Sequence, residues 1–321
     1  MTPDQAHGLV NIATVDKADR RNGGRLSLAG SSHPAPSEPS TRPSPPFEVL
    51  IFVHLYKTGG TTLNRIIEWE YNLPRIASVE PTWWQWSYQR IMRWSPARLG
   101  RMDVFKGHMP FGLHRLLARP ANYITFLREP IERAISDYYF ARRFKPHQNH
   151  RASLELTLEE YFLQKHEHNM QSRILAGPNA TELFPSVCDA ATLAAAKENL
   201  ARHFVVVGLT ERFDETLALL KVVLGWRIKH YRAFRVSHNR IPQQSVAPKT
   251  LELIREWEKY DLDLYDYASS LFEEALASHS EAIEQALLTI REAKDMTPLK
   301  FRFYSVCSVA RMVFCRAHSL L

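Results

Sequence analysis

An apolar run from Phe47 to Val53 leads through His54 to Thr62, HLYKTGGTT, into a helical pattern that starts at Leu63. This order of strand, small-residue turn and helix narrows most what the chain can become. A strand that feeds a helix through glycines points several backbone N–H groups at one spot, where the helix dipole also favours negative charge. Gly59 and Gly60 let the backbone approach an anion closely, Thr58, Thr61 and Thr62 offer hydroxyl donors, and Lys57 brings a mobile positive charge. The turn reads as a phosphate site rather than an ordinary tight turn. It departs from the ATP-binding pattern GxxxxGK[ST], because Lys57 precedes the glycines instead of following them.

The alternation of strand and helix continues. Asp103 to Gly107 reads as a short strand, with a helical segment from Phe111 to Leu117 after it. Asn122 to Leu127 reads as a buried strand, and the stretch Glu129 to Arg143 sets Ile131, Ala134, Ile135, Tyr138 and Tyr139 at the spacing of a helix face. A largely helical section, Leu156 to Arg202, precedes another strand at Phe204 to Gly208, a helix from Thr210 to Leu224, and two more helices between Pro248 and roughly Ala277. The pattern predicts an α/β fold with a central parallel sheet, helices on both faces and ligands at the carboxyl ends of the strands.

With 45% hydrophobic residues among 321, one large core is expected. Residues 1–46 show no sustained apolar period, and six of the thirteen positions from Pro34 to Pro46 are proline. A disordered leader and linker is therefore expected ahead of a domain over 47–298 and a basic apolar segment over 299–321. Nothing resembles the apolar core of a signal peptide or anchor, and Cys188, Cys307 and Cys315 are too scattered for a disulfide framework or zinc site. A cytoplasmic location is expected, which leaves the sequon Asn179, Ala180, Thr181 without weight. The net charge of +7 divides into +1 over 1–46, +4 over 299–321 and only +2 in between. A near-neutral body with local basic pockets suits a small anionic ligand and argues against nucleic acid as a partner.

The third strand and helix read FLREPIERAISDYYF. Arg128 leaves the strand end, Pro130 suits the first helical turn, and Ser136 lies two turns along, so Arg128 and Ser136 can converge on one anion. The ordinary alternative for Arg128 is an ion pair with Glu129 or Glu132. Taken with the phosphate turn, a ligand carrying two separated phosphate groups is the better explanation.

As an ordered set these blocks resemble the PAPS-dependent sulfotransferases, with the heparan sulfate 6-O- and 2-O-sulfotransferases and their bacterial relatives nearest. KTGGTT is similar to the family's 5'-phosphosulfate loop, and Arg128 to Ser136 to its 3'-phosphate block. Asn169 to Gly177, Val206 to Leu217 and the segment DLDLYDYASSLF extend the likeness over about 47–275. The resemblance implies a P-loop-like three-layer sandwich and the cofactor 3'-phosphoadenosine 5'-phosphosulfate (PAPS), released as PAP; no metal is expected, because a sulfuryl group carries less negative charge than a transferring phosphoryl and no carboxylate cluster stands ready to hold one. It also implies a hydroxyl-bearing glycan or glycolipid as acceptor.

Lys57 is expected to neutralise charge on the departing phosphate, and His108 in KGHMPFGLH to act as general base. His108 directly follows a short strand at the sheet edge that carries the phosphate turn, and a histidine at the matching place is the base in the resembling 2-O-sulfotransferases. His54 and His114 are its rivals. For the acceptor, Trp83, Trp84, Trp86 and Trp94 could stack on sugar rings or fill core, and Arg142, Arg143 and Lys145 could face an acidic glycan or simply be solvated. Gln171 and Arg173 are candidate acceptor or cofactor contacts, while the loop from Arg235 to Arg240, with Asn239, matches the family only loosely. The segment 299–321 could lie on a membrane surface or pack back on its own domain. Two other readings remain: a P-loop-like nucleotide-dependent kinase, and a catalytically idle glycan-binding module.

Overall fold

All five residues of the first strand, β1 (Val49–Val53), are buried, which is what a strand covered on both sheet faces requires. Four more strands follow: β2 (Ile76–Val79), β3 (Val104–Gly107), β4 (Ala121–Leu127) and β5 (Phe204–Leu209). They form one sheet in the order β2-β3-β1-β4-β5, with every neighbouring pair parallel. The computed structural model describes residues 49–79, 84–179, 182, 184–229, 231, 242–294, 306, 307, 309–315, 317 and 318. The expected leader over 1–46, Trp83, Ala180 and Thr181 of the sequon, and the loop from Arg235 to Arg240 lie outside these residues.

The helices are α1 (Gly60–Glu70), α2 (Trp84–Met92), α3 (Pro96–Leu99), α4 (Pro130–Arg143), α5 (His150–Glu155), α6 (Leu158–Lys165), α7 (Met170–Ala176), α8 (Ala190–His203), α9 (Phe213–Leu224), α10 (Pro248–Trp257), α11 (Lys259–Ser278) and α12 (Ser280–Lys294). Their starts are locally encoded. Ser95, Glu129, Thr157 and Asp189 each accept from the backbone N–H three residues on, and proline opens α3, α4 and α10.

The structure departs from the sequence reading in places with clear causes. β2 was not expected, since four residues are too few to show a period. The helical stretch expected over 156–202 is broken into α6, α7 and α8, with Asn169 at φ 49° and Gly177 at φ 81° marking the two ends of α7. Only a 3-10 turn, Leu113–Leu116, stands where a helix was expected after β3, and α12 extends the helical layer further than expected.

Register decides where the chemistry lies. Val53 pairs with both Gly107 and Thr125, and Leu127 with Leu209. The turn after β1, His108 after β3, Arg128 after β4 and Thr210 after β5 therefore leave the sheet at one edge, the carboxyl edge where open α/β sheets bind ligands.

The helical residues between 306 and 318 pack on α1. Arg311 Nε donates to the Glu68 carbonyl at 2.8 Å and the guanidinium stands 4.8 Å from the Trp69 ring centroid, while Cys315 is fully buried. Val306, Val309, Val313 and Phe314 remain exposed. Among the described residues, no helix is long and apolar enough to cross a membrane. Nearby, Lys106 on β3 and Glu68 on α1 form a buried ion pair at 2.7 Å. Removing one partner strands a charge in the core, so Lys106→Ala should lower unfolding free energy by about 3–5 kcal/mol in urea denaturation; a loss within experimental error would show that Glu68 is solvated instead.

Candidate active site

The turn between β1 and α1 is built for a close approach to its backbone. Lys57 and Gly59 adopt left-handed conformations with φ 66° and 75°. Thr62 N–H donates to the Gly59 carbonyl at 3.0 Å, and the Thr58 hydroxyl donates to the Leu55 carbonyl at 2.9 Å. Thr58 therefore shapes the turn with its side chain, where the sequence suggested a hydroxyl for the ligand. Thr62 is buried and Thr61 half-buried at the start of α1. Gly60 is sterically required, because a Cβ there would fall 2.1 Å from the His54 ring. Unlike α4 and α6, α1 has no side-chain cap and no acid in its first turn. Its amino-terminal N–H groups and dipole thus suit an anionic group such as a phosphate.

Two other blocks converge on this turn. Arg128 donates from Nη1 to the Lys57 carbonyl at 3.1 Å and pairs with Glu132 at 3.3 Å and Glu211 at 3.8 Å. Glu129 is not an Arg128 partner here; it caps α4 by accepting from the Glu132 N–H. Lys57 Nζ sits 3.7 Å from the centroid of the Phe140 ring. On α4 the residues Glu132, Ser136 and Phe140 follow one another at four-residue spacing and share a face. Glu132 touches Arg128 and Phe140 underlies Lys57, and buried Ser136 stands one turn from each on that face of α4.

His108 follows Gly107 and stacks between the rings of His54 at 4.1 Å and Tyr56 at 4.0 Å. Its Nδ1 is 2.7 Å from the His54 carbonyl, an acceptor only, so Nδ1 carries the proton and Nε2 keeps a lone pair. Burial lowers the His108 pKa to about 4; the His54 carbonyl opposes this shift and the Lys57 charge adds to it. Lys57 and His108 are thus electrostatic neighbours.

The rival histidines are placed differently. His54 is buried, accepts at Nδ1 from the Asn64 amide at 3.2 Å, and supports His108 from beneath. His114 bonds the Tyr123 hydroxyl at 2.8 Å and lies 4.9 Å from the His203 ring. His203 immediately precedes β5, so His114 stands at the opposite end of the sheet from the phosphate turn.

A small pocket beside His108 is lined by Tyr56, Trp84, Met109, Ile174 and Phe184. Trp84 packs 5.6 Å from Phe184, whereas Trp86 and Trp94 lie under Arg90 and Arg98 away from it. Arg173 braces this wall, donating to the Pro185 carbonyl at 2.6 Å with its guanidinium 5.2 Å from the Phe184 ring. Gln171, expected to touch acceptor or cofactor, turns inward: only 1% exposed, its amide takes the Arg128 N–H and gives back to the Arg128 carbonyl, each at 2.9 Å. Arg142 is engaged with the Tyr138 hydroxyl and the Ser153 carbonyl, while Arg143 and Lys145 are exposed. Sequence reasoning missed Tyr56, Phe140, Glu211 and Phe184. Only Phe140 had a signal, its helical spacing from Glu132 and Ser136. Among the described residues no group of three His, Cys, Asp or Glu could hold a metal ion.

Comparison with known proteins bears out the family resemblance and broadens it. Residues 24–310 match the family model described as galactose-3-O-sulfotransferase. The chain is 28% identical to a heparin sulfate O-sulfotransferase of Drosophila melanogaster over 58% of this chain and 57% of that protein. It is 28% identical to galactose-3-O-sulfotransferase 3 of Bos taurus, over 79% and 64% respectively. With heparan sulfate 2-O-sulfotransferase hst-2 of Caenorhabditis elegans it shares 25% identity over 81% and 87%. It thus spans less than two thirds of the first two relatives. The model match includes the phosphate turn, the Arg128 block and His108, and by that match the chain belongs to the galactose-3-O-sulfotransferase family.

Proposed function

We propose that this protein transfers a sulfuryl group from PAPS to a hydroxyl of a carbohydrate acceptor, a glycan or glycolipid. The observation that carries the reading is the hydrogen bond from Arg128 to the Lys57 carbonyl, which unites two anion-binding blocks beside a neutral histidine. PAPS supplies the sulfuryl group: the acceptor oxygen bonds its sulfur as the bond from sulfur to the phosphate oxygen breaks, and PAP leaves. The turn from Lys57 to Thr62, with Gly59 and Gly60, holds the 5' side on backbone N–H groups, and Arg128 with Ser136 holds the 3'-phosphate. Lys57 moves from Phe140 to the charge growing on the leaving phosphate. His108 Nε2 takes the acceptor proton while its Nδ1–H stays on the His54 carbonyl. Trp84 and Phe184 offer the sugar an aromatic wall. The names of the relatives, which act on galactose and heparan sulfate, support the acceptor class and leave the particular sugar to experiment.

Lys57→Ala and His108→Ala should each cut turnover at least about 100-fold, measured with radiolabelled PAPS against glycans and lipid-linked sugars, while Arg128→Ala mainly weakens PAP in calorimetry. Near-normal turnover in both of the first variants, or tighter binding of ATP with magnesium than of PAP, would overturn the reading.

The pH dependence follows from the lowered His108 pKa. A base must be unprotonated, so kcat/KM should rise with pH through about 4 and be level by neutrality. An acid limb centred near 6.5, the ordinary histidine value, would point to a more exposed base.

We further propose a cytoplasmic enzyme that rests on an anionic membrane surface through 299–321. Four basic residues and no acid in that segment, with Val309 and Val313 exposed beside one another on a helical face, support it. Vesicles containing phosphatidylglycerol should sediment the protein, salt should weaken this, and Val309→Glu with Val313→Glu should abolish it. Equal sedimentation with neutral phosphatidylcholine vesicles would count against the proposal.

A further inference from the structure

Behind Arg128 lies a buried polar cluster that the proposed chemistry does not use. Asn169, held at φ 49°, accepts at Oδ1 from the backbone N–H groups of Tyr260 and Asp261, both at 3.0 Å. Asp261 in turn accepts from the Gln171 N–H at 3.0 Å, the Ser172 N–H at 2.7 Å and the Ser172 hydroxyl at 2.7 Å. The start of α7 and the start of α11 are thus clasped to each other. Arg133 stands 3.7 Å from Asp261 and 3.2 Å from Glu258, and neither carboxylate is exposed.

We infer that Asp261 and Gln171 are positioning residues for the nucleotide grip, an inference that rests on the proposed 3'-phosphate role of Arg128. Asp261 fixes the Gln171 main chain. The Gln171 amide then fixes both main-chain groups of Arg128, and the Arg128 guanidinium fixes the Lys57 carbonyl. Three hydrogen-bonded steps therefore run from a buried carboxylate on α11 to the turn that carries the leaving-group lysine. Arg128 lies just past the end of β4, where the sheet ladder no longer holds the chain; the Gln171 amide replaces the missing strand partner. A side chain that reproduces a backbone pairing sets both the place and the tilt of the residue it grips. That is what a cation needs if it is to meet one phosphate and not another.

The test compares calorimetric affinity for PAP with that for 5'-AMP, which lacks the 3'-phosphate. Gln171→Met keeps the length and removes both amide bonds. It should weaken PAP about tenfold and leave 5'-AMP within about twofold. Gln171→Glu keeps the acceptor for the Arg128 N–H but loses the donor, and should fall between wild type and Gln171→Met. Asp261→Asn should weaken PAP selectively in the same sense. Ser172→Ala removes a bond to Asp261 that is not on the route to Arg128, so it should lower thermal stability without changing the PAP to 5'-AMP ratio. If Gln171→Met fails to fold, Gln171→Glu decides by the same ratio. Arg128→Ala is the benchmark: should it weaken PAP and 5'-AMP equally, the 3'-phosphate role itself is wrong. Should Arg128→Ala be selective while the Gln171 variants leave the ratio at wild type, that role stands and the positioning inference falls.

Discussion

The hydrogen bond from the Arg128 guanidinium to the Lys57 carbonyl joins stretches separated by 71 residues in the chain. The closeness of the turn after β1 to the start of α4 depends on that join. Lys57 holds a left-handed backbone, uncommon for a residue with a side chain, and its carbonyl accepts from Arg128. Level parallel strands make the meeting possible, because β1 and β4 end side by side at one edge of the sheet. A slip of one residue in that pairing would turn every side chain of the slipped strand to the other sheet face and shift the two blocks apart.

Each of the two cations at this edge of the sheet is held by a neighbouring side chain. Arg128 is balanced by Glu132 and Glu211, and Lys57 rests on the Phe140 ring, an interaction of about 0.5–2 kcal/mol. The Lys57 arrangement is the weaker of the two, since charge-assisted bonds to an anion are stronger than a cation on an aromatic face. The deeper pair of Arg133 with Glu258 differs in kind. It is wholly buried, shared with His166, and holds Glu258 well below the usual carboxylate range against the opposing effect of burial. One arginine of the REPIER block thus reaches the turn after β1 and the other, five residues later, fastens α4 to the start of α11.

Much of this could be read from the chain. The strand, glycine turn and helix order was legible around Lys57 to Thr62, and the alternation of elements pointed to the parallel sheet, because both depend on local spacing. The roles of Gln171 and Thr58 could not be read. Whether an amide or hydroxyl faces a ligand or a neighbouring backbone depends on contacts with Arg128 and Leu55 that composition does not encode. Glu211 and Phe184 were invisible for the same reason, since they reach the site only through β5 and the chain leading to α8. β2 escaped because a strand of four residues carries too little pattern.

The state of His108 links these parts into one mechanism on the proposed reading. Its ring is neutral because burial disfavours the imidazolium and because Lys57 is close enough to oppose a second positive charge. The two causes differ in what an anion does to them. Burial persists or deepens when the pocket fills, but a phosphate drawn to Lys57 cancels that lysine's effect on the ring. Proton affinity at Nε2 therefore rises when the nucleotide is in place, where a base is needed. The Nδ1–H bond to the His54 carbonyl leaves the lone pair on Nε2, so on that reading the turn after β1 also fixes the direction in which the proton moves.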